Sequence, residues 1–310
     1  MVLIEEQYMW RAIQLARCGE GRVSPNPLVG AVIVAHGKII GEGYHARFGG
    51  PHAEVNAISS VKKKDEHLFS DSTIYVTLEP CSHFGKTPPC ANLIISKGIQ
   101  NVVIGSPDPN PLVAGRGVRM LREAGCKVIE NVLLEECLEL NKRFMTFHSM
   151  KRPWIILKWA QSADGFMAGM DDKKHPFPIK FSTPLSSVWM HRERANVDGI
   201  IVGSNTLKID NPRLDVRFWG GKNPKTIVSN HEKCEEIIER LYAEGISSLM
   251  VEGGPTILKS FIESGLFDEI RIETKPILLV HGLPSPRLPE DLHLKTNYSS
   301  RGNIIATFSR

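Results

Sequence analysis

The sequence predicts a two-domain α/β protein, and three observations support this prediction. The chain has 310 residues, which is long for one hydrophobic core and suits two. Segments with apolar residues at helical spacing alternate with short β-branched segments along most of the chain. Residues 149–153, Ser-Met-Lys-Arg-Pro, form a short basic segment broken by proline. We therefore expect one domain at residues 1–148 and a second at residues 153–310.

The first domain is predicted to be a mixed sheet with helices on both faces. Apolar positions at helical spacing predict a helix at residues 4–17, and a turn at His36-Gly37 predicts a hairpin over residues 28–41. Further helices are expected at residues 52–61, 89–97, 118–124 and 133–147, and strands at 73–78, 101–105 and 127–132. A hairpin followed by β-α-β units implies this mixed arrangement, which brings the ends of neighbouring helices together.

The second domain is predicted to be another α/β unit. Strands are expected at residues 154–159, 198–203, 226–229, 247–252, 268–273, 276–280 and 303–308, and helices at 185–195, 234–243 and 255–264. Gly253-Gly254-Pro255 stands where a strand turns into a helix. Glycines at such a turn, with proline in the first helical turn, suit phosphate binding by exposed N–H groups.

Composition excludes several classes of protein. Hydrophobic residues make up 42% and charged residues 23% of the chain, as in ordinary globular proteins. The net charge of +4 is mild, and the aromatic residues are scattered, so a nucleic-acid deaminase with a basic, aromatic-lined groove is disfavoured. No apolar run is long enough to span a membrane, and acidic residues near the N-terminus argue against an export signal. We expect a cytoplasmic protein that binds neither nucleic acid nor membrane.

The strongest chemical signal is a set of residues with the character of a catalytic zinc site. His52 is followed two residues later by Glu54, and Pro80 precedes Cys81, with Cys90 further along. One imidazole and two thiolates leave a fourth position on zinc for water, whose pKa the ion lowers. Glu54 has no use in a structural zinc site and is predicted to carry the proton. This H-x-E and P-C pattern is typical of zinc-dependent nucleobase deaminases.

The spacing of the two cysteines narrows the family. Eight residues separate Cys81 from Cys90, whereas the general deaminase pattern has two. The longer loop, with Gly85, Lys86 and Thr87-Pro88-Pro89, resembles the deaminase half of the bifunctional riboflavin-biosynthesis deaminase/reductase family. Residues 24–32 (SPNPLVGAV), 108–110 (DPN) and 114–117 (AGRG) resemble the same family. The resemblance implies a cytidine-deaminase-like first domain.

The resemblance also implies which residues bind the deaminase substrate, a small phosphorylated pyrimidine. An amide and a carboxylate would contact the pyrimidinone edge, and a cation would contact the phosphate. The matching positions in this sequence are Asn26, His45, Lys86, Asp108 and Asn110.

The second half resembles the reductase half of the same family. The matching segments are residues 162–165 (SADG), 202–206 (VGSNT), 210–212 (DNP) and 251–254 (VEGG). A dihydrofolate-reductase-like fold is implied, apparently shortened between Val228 and Ile246. The implied NADPH-binding residues are Ala160, Thr206, Asp210, Gly254, Pro255 and Thr256. The implied residues for the ribosyl-phosphate substrate are Arg194, Leu214, Arg217 and Glu252.

The resemblance therefore implies a riboflavin-biosynthesis enzyme, expected to be a homo-oligomer. Its first domain would deaminate the diamino-ribosylamino-pyrimidinone phosphate, and its second would reduce the ribosyl group to ribityl with NADPH. The shortened segment leaves open a monofunctional deaminase whose second domain is a non-catalytic oligomerisation scaffold. A salvage deaminase of free bases or nucleosides and a non-catalytic zinc scaffold are further alternatives. Lys86 and Glu54, respectively, disfavour them.

Overall fold

The computed structural model describes residues 5–82, 88–110, 114–230 and 232–310, and the chain forms two compact units, Met1–Met150 and Lys151–Arg310. Among the described residues, no helix combines the length and apolarity needed to cross a membrane.

The first unit is built on a five-stranded sheet of order β2-β1-β3-β4-β5. Its strands are β1 Gly30–Ala35, β2 Lys38–Tyr44, β3 Ser72–Leu78, β4 Asn101–Ser106 and β5 Lys127–Ile129. Strand β1 is antiparallel to β2 and β3, whereas β3, β4 and β5 are parallel. Its helices are α1 Glu6–Arg17, α2 Ala53–Ser60, α3 Cys90–Ser96, α4 Arg116–Glu123, α5 Leu134–Leu140 and α6 Lys142–Met150.

Both faces of this sheet are covered, as predicted. Apolar side chains of α1 and α5 pack on one face against Val32, Val34 and Val103. Helices α2, α3 and α4 pack on the other face against Ile33 and Ile74. Alternate residues of one strand thus enter different cores, because successive side chains of a strand point to opposite faces.

The helix predicted at residues 133–147 is interrupted. Helix α5 ends at Leu140 and α6 begins at Lys142. Between them, the buried Asn141 amide accepts a hydrogen bond from Leu28 N at 2.8 Å and donates one to Leu28 O at 2.9 Å. This contact joins parts of the chain 113 residues apart.

The second unit contains a seven-stranded sheet of order β10-β9-β11-β6-β12-β15-β14 and a small sheet of order β13-β7-β8. Strands of the large sheet are β6 Trp154–Ser162, β9 Gly199–Gly203, β10 Lys225–Ser229, β11 Ser248–Val251, β12 Glu269–Lys275, β14 His293–Ser300 and β15 Asn303–Ser309. The small sheet has β7 Phe166–Met170, β8 Pro176–Phe177 and β13 Gly282–Pro284. The helices are α7 Pro184–Ala195, α8 Ser204–Asp210, α9 Cys234–Ala243 and α10 Pro255–Glu263. Strands β10, β9, β11, β6 and β12 are parallel, so their carboxyl ends meet at one edge of the sheet.

The strand predicted at residues 276–280 is wrong. This segment is a loop, in which Ile277 N donates to the nearby Lys275 carbonyl and the next two bonded N–H groups go to a side chain instead of a neighbouring strand. The Asp164 carboxylate accepts hydrogen bonds from Leu279 N at 3.1 Å and from Val280 N at 2.8 Å.

Candidate functional sites

The predicted metal ligands of the first unit meet beside the N-termini of two helices. His52 directly precedes α2, and its Nδ1 lies 3.5 Å from Cys81 Sγ and 3.3 Å from Cys90 Sγ. The three ligand atoms all lie within 4.8 Å of one another. An imidazole with two thiols is a donor set that zinc favours, and three protein ligands are typical of a catalytic zinc site. The residues therefore fit a zinc ion.

Local structure fixes both thiols. Cys81 follows β3 after Glu79-Pro80, and Cys90 is the buried first residue of α3. The backbone N–H groups at the start of α3 turn towards Cys81: Cys90 N donates to its Sγ at 3.3 Å and Ala91 N to its carbonyl at 3.2 Å. These two donors have no helical acceptor, so the Cys81 sulfur accepts one of them and the Cys81 carbonyl accepts the other.

Two of the three ligand groups, Cys90 and His52, hold protons that a cation would displace. A hydrogen bond from the Cys90 thiol lowers the pKa of Cys81 to about 4, burial opposes this shift, and His52 favours it. The pKa of Cys90 is raised because its thiol donates that bond. The hydrogen bond with Cys81 raises the pKa of His52. Metal ligands must be deprotonated, so zinc binding here releases protons.

Glu54 is the buried carboxylate beside this cluster. It is the second residue of α2 and is 3% exposed. Burial and the charge of Cys81 raise the pKa of Glu54 to about 7. A carboxyl group with a pKa near neutrality is suited to take up and return a proton.

Asn26 and His45 form a hydrogen-bonded pair next to His52. His45 Nδ1 lies 2.9 Å from the Pro51 carbonyl, and its Nε2 lies 3.0 Å from Asn26 Nδ2. Burial lowers the pKa of His45, which favours the neutral ring. A carbonyl only accepts, so Nδ1 carries the proton and Nε2 accepts from the Asn26 amide. The centroids of the His45 and His52 rings are 5.7 Å apart, which places the pair beside the metal cluster.

The other predicted substrate residues of this unit lie after β4 or outside the described part of the chain. Asp108 Oδ1 accepts a hydrogen bond from Asn110 N at 2.8 Å, so the two residues form one turn. Lys86 lies outside the described residues.

In the second unit, the predicted substrate residues gather around a buried ion pair. Arg194 Nε lies 2.7 Å from Glu252 Oε1, and its Nη2 lies 2.8 Å from Oε2. Arg194 Nη1 also donates to the Asp215 carbonyl at 3.2 Å. Arg217 pairs with the Asp215 carboxylate, and Leu214 is buried next to it. Arg194, Leu214, Arg217 and Glu252 therefore belong to one cluster.

The predicted cofactor residues lie at the carboxyl edge of the parallel strands. Gly254 directly precedes α10, whose first residues are Pro255 and Thr256. The N–H of Gly254 donates a hydrogen bond to Thr206 Oγ1 at 3.1 Å. Val251, the last residue of β11, pairs with Leu157 of β6. Ala160 lies further along β6 in the same direction, so it reaches the same edge of the sheet. Asp210 ends α8 at the surface. The carboxyl edge of a parallel sheet with a glycine turn at a helix N-terminus fits a phosphate-bearing cofactor.

Comparisons with known proteins identify the family of both units. Residues 4–106 match the cytidine and deoxycytidylate deaminase zinc-binding region. Residues 153–236 and 233–298 match the RibD C-terminal domain in two pieces. The riboflavin biosynthesis protein RibD of Aquifex aeolicus is 38% identical over 325 residues, covering 90% of this chain and 89% of that protein. The chain belongs to the RibD family.

Other members of the family are similar over nearly the full length of this chain. RibD of Chlamydia pneumoniae is 40% identical, with 96% of this chain and 76% of that protein aligned. The crystal structure of a diaminohydroxyphosphoribosylaminopyrimidine deaminase/5-amino-6-(5-phosphoribosylamino)uracil reductase from Thermotoga maritima is 36% identical, with a TM-score of 0.88 over 98% of both chains. A RibD structure from Acinetobacter baumannii has a TM-score of 0.85 and 27% identity over the same share of both chains. The predicted family, fold class and pair of cofactors are confirmed.

Sequence reasoning missed two contributors to the reductase cluster of this RibD-family chain. Asp215 links Arg194 to Arg217, and the buried His191 Nδ1 lies 4.0 Å from its Oδ1. Asp215 lies between the predicted Leu214 and Arg217, so proximity in sequence is the one signal that pointed to it. His191 lies one helical turn before Arg194 on α7, and that i, i+3 spacing was its only signal.

Proposed function

We propose that this chain carries out two successive reactions of riboflavin biosynthesis. The first unit deaminates the diamino-ribosylamino-pyrimidinone 5′-phosphate. The second unit reduces the ribosyl group of the product to ribityl with NADPH. The observation that carries the proposal is the convergence of His52, Cys81 and Cys90 beside the buried Glu54 in a chain of the RibD family.

In the deaminase, His52, Cys81 and Cys90 would hold zinc, which supplies an activated water when bound. The carboxylate of Glu54 takes the proton of the attacking water and returns it to the leaving amino nitrogen. Its burial excludes bulk water from this transfer and raises the pKa of its carboxyl group. His52 and the two thiolates would hold the ion without Glu54, which leaves that carboxylate available as acid and base.

Asn26 and His45 are proposed to read the pyrimidine ring. Because Asn26 gives an amide hydrogen to His45 Nε2, its Oδ1 is presented as an acceptor. An acceptor selects an amino or ring N–H group, both of which a diaminopyrimidinone carries. Neutral His45 has no N–H left for an anionic phosphate. Asp108 and Asn110 are proposed to contact the substrate from the turn after β4, and Lys86 is proposed to bind the phosphate.

In the reductase, the turn at Gly254, Pro255 and Thr256 is proposed to hold the phosphates of NADPH, with Ala160, Thr206 and Asp210 completing the cofactor site. NADPH supplies the reducing equivalents. Arg194, Leu214, Arg217 and Glu252 are proposed to bind the ribosyl-phosphate substrate. Glu252 holds the Arg194 guanidinium in one orientation through two hydrogen bonds, and Arg217 supplies a more exposed cation.

Paired assays on the full chain test this proposal. Ammonia release from the diamino substrate measures the first reaction, and NADPH oxidation with the deaminated product measures the second. We expect Glu54→Gln to bind zinc, lose deamination by roughly 10²- to 10⁴-fold and keep NADPH oxidation. Glu42→Gln, which removes a half-buried partner of Arg11, is the matched control and should keep both activities.

Each alternative has its own outcome in these assays. Wild-type chain that releases ammonia but never oxidises NADPH is a monofunctional deaminase. Preference for a substrate without phosphate indicates a salvage enzyme.

We also propose that residues 1–148 and 153–310 are the two catalytic domains and that the protein is a homo-oligomer. Limited proteolysis would locate the first cleavage, and mass measurement in solution would count the subunits.

A further inference from the structure

The Glu79 carboxylate has an unusual set of partners. It is 4% exposed and lies directly after β3, two residues before Cys81. Its Oε1 accepts backbone hydrogen bonds from Gly117 N at 2.9 Å and Val118 N at 3.3 Å. Its Oε2 accepts from Gly115 N at 2.9 Å and Asp108 N at 3.5 Å. One side chain thus receives four N–H groups, all from the segment that follows β4.

The two carboxylate oxygens serve different parts of that segment. Gly117 and Val118 are in the first turn of α4, where N–H groups have no helical acceptor. A negative charge there is also favoured by the helix dipole. Asp108 and Gly115 stand at the two ends of the loop that carries Asn110, so Oε2 holds both ends of this loop. Gly115 has a φ of 72°, a left-handed conformation that glycine adopts at little cost.

Close backbone packing ties the same segment to the zinc ligand. A Cβ atom on Gly117 would lie 2.0 Å from the Pro80 carbonyl oxygen, so α4 starts directly on the Pro80 backbone. Cys81, the next residue, is held from its other side by the N–H groups of Cys90 and Ala91. The position of Cys81 and the position of the loop are therefore set by adjoining groups of one short segment.

We propose that Glu79 is a positioning residue of the deaminase, which sets the placement of Asp108 and Asn110 relative to the zinc ligand Cys81. Its carboxylate accepts hydrogen bonds from the N–H groups at both ends of the loop that carries Asn110 and from those of the helix that follows. The proposal rests on the proposed deaminase function. Glu79 touches neither zinc nor substrate in this role, so its loss should weaken substrate binding while zinc stays bound.

Glu79→Gln in the full chain is the direct test. Glutamine has one carbonyl oxygen, so in either orientation its amino group faces two of the four N–H donors. We expect about one zinc ion per chain, as in wild type. The KM for the diamino substrate should rise roughly 10- to 100-fold, because a displaced loop misplaces its contacts. Hydrogen exchange of residues 108–110 and 114–118 should become faster. Loss of zinc, or unchanged KM with unchanged exchange, would overturn the proposal.

A double-mutant cycle separates positioning from general stability. If Glu79 acts through the loop, Glu79→Gln should raise KM much less in an Asn110→Ala background than in wild type. Fully additive effects would contradict the proposal. Asp198→Asn is the matched control, since the Asp198 carboxylate accepts backbone N–H groups of Ser247 and Ser248 in the second unit. It should leave the deaminase KM unchanged.

A second variant keeps the test decisive if Glu79→Gln does not fold. Gly115→Ala strains the loop end without altering the carboxylate, and it should raise KM with zinc retained. An unchanged KM in this variant counts against positioning. Wild-type chain without any ammonia release would instead overturn the proposed deaminase function. The exchange rates of residues 108–110 and 114–118 would still report whether Glu79 holds the two ends of the loop.

Discussion

The two units each contain a buried carboxylate at the functional site, but the pKa values of the two groups move in opposite directions. Burial and the charge of Cys81 raise the pKa of Glu54 to about 7. Burial also acts to raise the pKa of Glu252. The hydrogen bonds and the positive charge of Arg194 outweigh burial, so the pKa of Glu252 is lowered. A carboxylate without a cationic partner is suited to carrying a proton, whereas one paired with arginine is a fixed anion.

The two sites also differ in how they are assembled. The deaminase cluster comes from two short stretches, each placed at the start of a helix. The reductase cluster combines α7, the loop after α8 and the end of β11, and an ion pair joins them. Removing the metal should therefore affect only the first unit, while removing one charge of the ion pair should affect only the second.

Removal of zinc should give the largest effect. A chelator, or Cys90→Ser, should lower deamination by at least roughly 100-fold, since the metal would lower the pKa of the attacking water. NADPH oxidation should persist, and added zinc should restore the chelated protein. Cys18→Ser is the control because that thiol is exposed and apart from the cluster. Deamination that persists after complete loss of zinc would contradict the prediction that the first unit depends on the metal.

Glu252→Gln should give the largest effect on the second unit. The change leaves the buried Arg194 without its counter-charge, so the free energy of unfolding should fall by about 3 kcal/mol. Denaturant unfolding measures this loss, and zinc content should not change. Glu244→Gln, which removes an exposed partner of Lys225, should cost less than about 1 kcal/mol.

The pH dependence of this pair sharpens the same prediction. The pKa of Glu252 is lower in the folded chain than its ordinary value of 4.5, so the folded state binds fewer protons. Its stabilisation is complete above the ordinary pKa and is lost as the pH falls through the lowered value. The stability gap between wild type and Glu252→Gln should shrink in that acidic range. A gap that stays constant there would contradict the role of the charge.

His45 offers a smaller, more specific test within the first unit. Its hydrogen bond to Asn26 implies that His45→Ala raises the deaminase KM by about 10-fold and adds little in an Asn26→Ala background. The same factor should appear with the substrate lacking its phosphate. If the effect disappears without the phosphate, His45 binds that group directly. Zinc content serves as the control, since His45 neighbours His52.

Thr206→Val should give the smallest effect. It removes the hydroxyl that accepts from Gly254 N and should raise the KM for NADPH about 5-fold, the equivalent of about 1 kcal/mol. Thr206→Ser keeps the hydroxyl and is the matched control. Equal behaviour of the two variants would show that the methyl group, not the hydrogen bond, supports the turn.

The zinc site was predictable because its residues lie in two short segments of the sequence. His52 and Glu54 share a helical turn, and Cys81 and Cys90 flank one loop, so spacing and residue type sufficed. The interruption at Asn141 was not predictable, because apolar spacing continues through it and its partner Leu28 is far away in sequence. The hydrogen bonds of Glu79 were not predictable for the same reason, because its carboxylate accepts them from residues about 30 to 40 positions later.

The exposed and irregular parts of the second unit were least predictable. Strand β14 lies at the sheet edge with nearly all of its residues exposed, so it lacks the apolar alternation that marks a strand. The loop at residues 276–280 has the apolar composition of a strand, and its N–H groups at Leu279 and Val280 go to Asp164, which is distant in sequence.

The contact between Asn141 and Leu28 has a consequence for anyone who trims this protein. The recognised deaminase region stops at residue 106, yet the segment carrying Asn26 is secured by an amide 35 residues beyond that point. A fragment cut at the end of the recognised region would keep all of the proposed metal ligands and leave both backbone groups of Leu28 without their partner. The smallest competent deaminase fragment must therefore reach past the junction of α5 and α6.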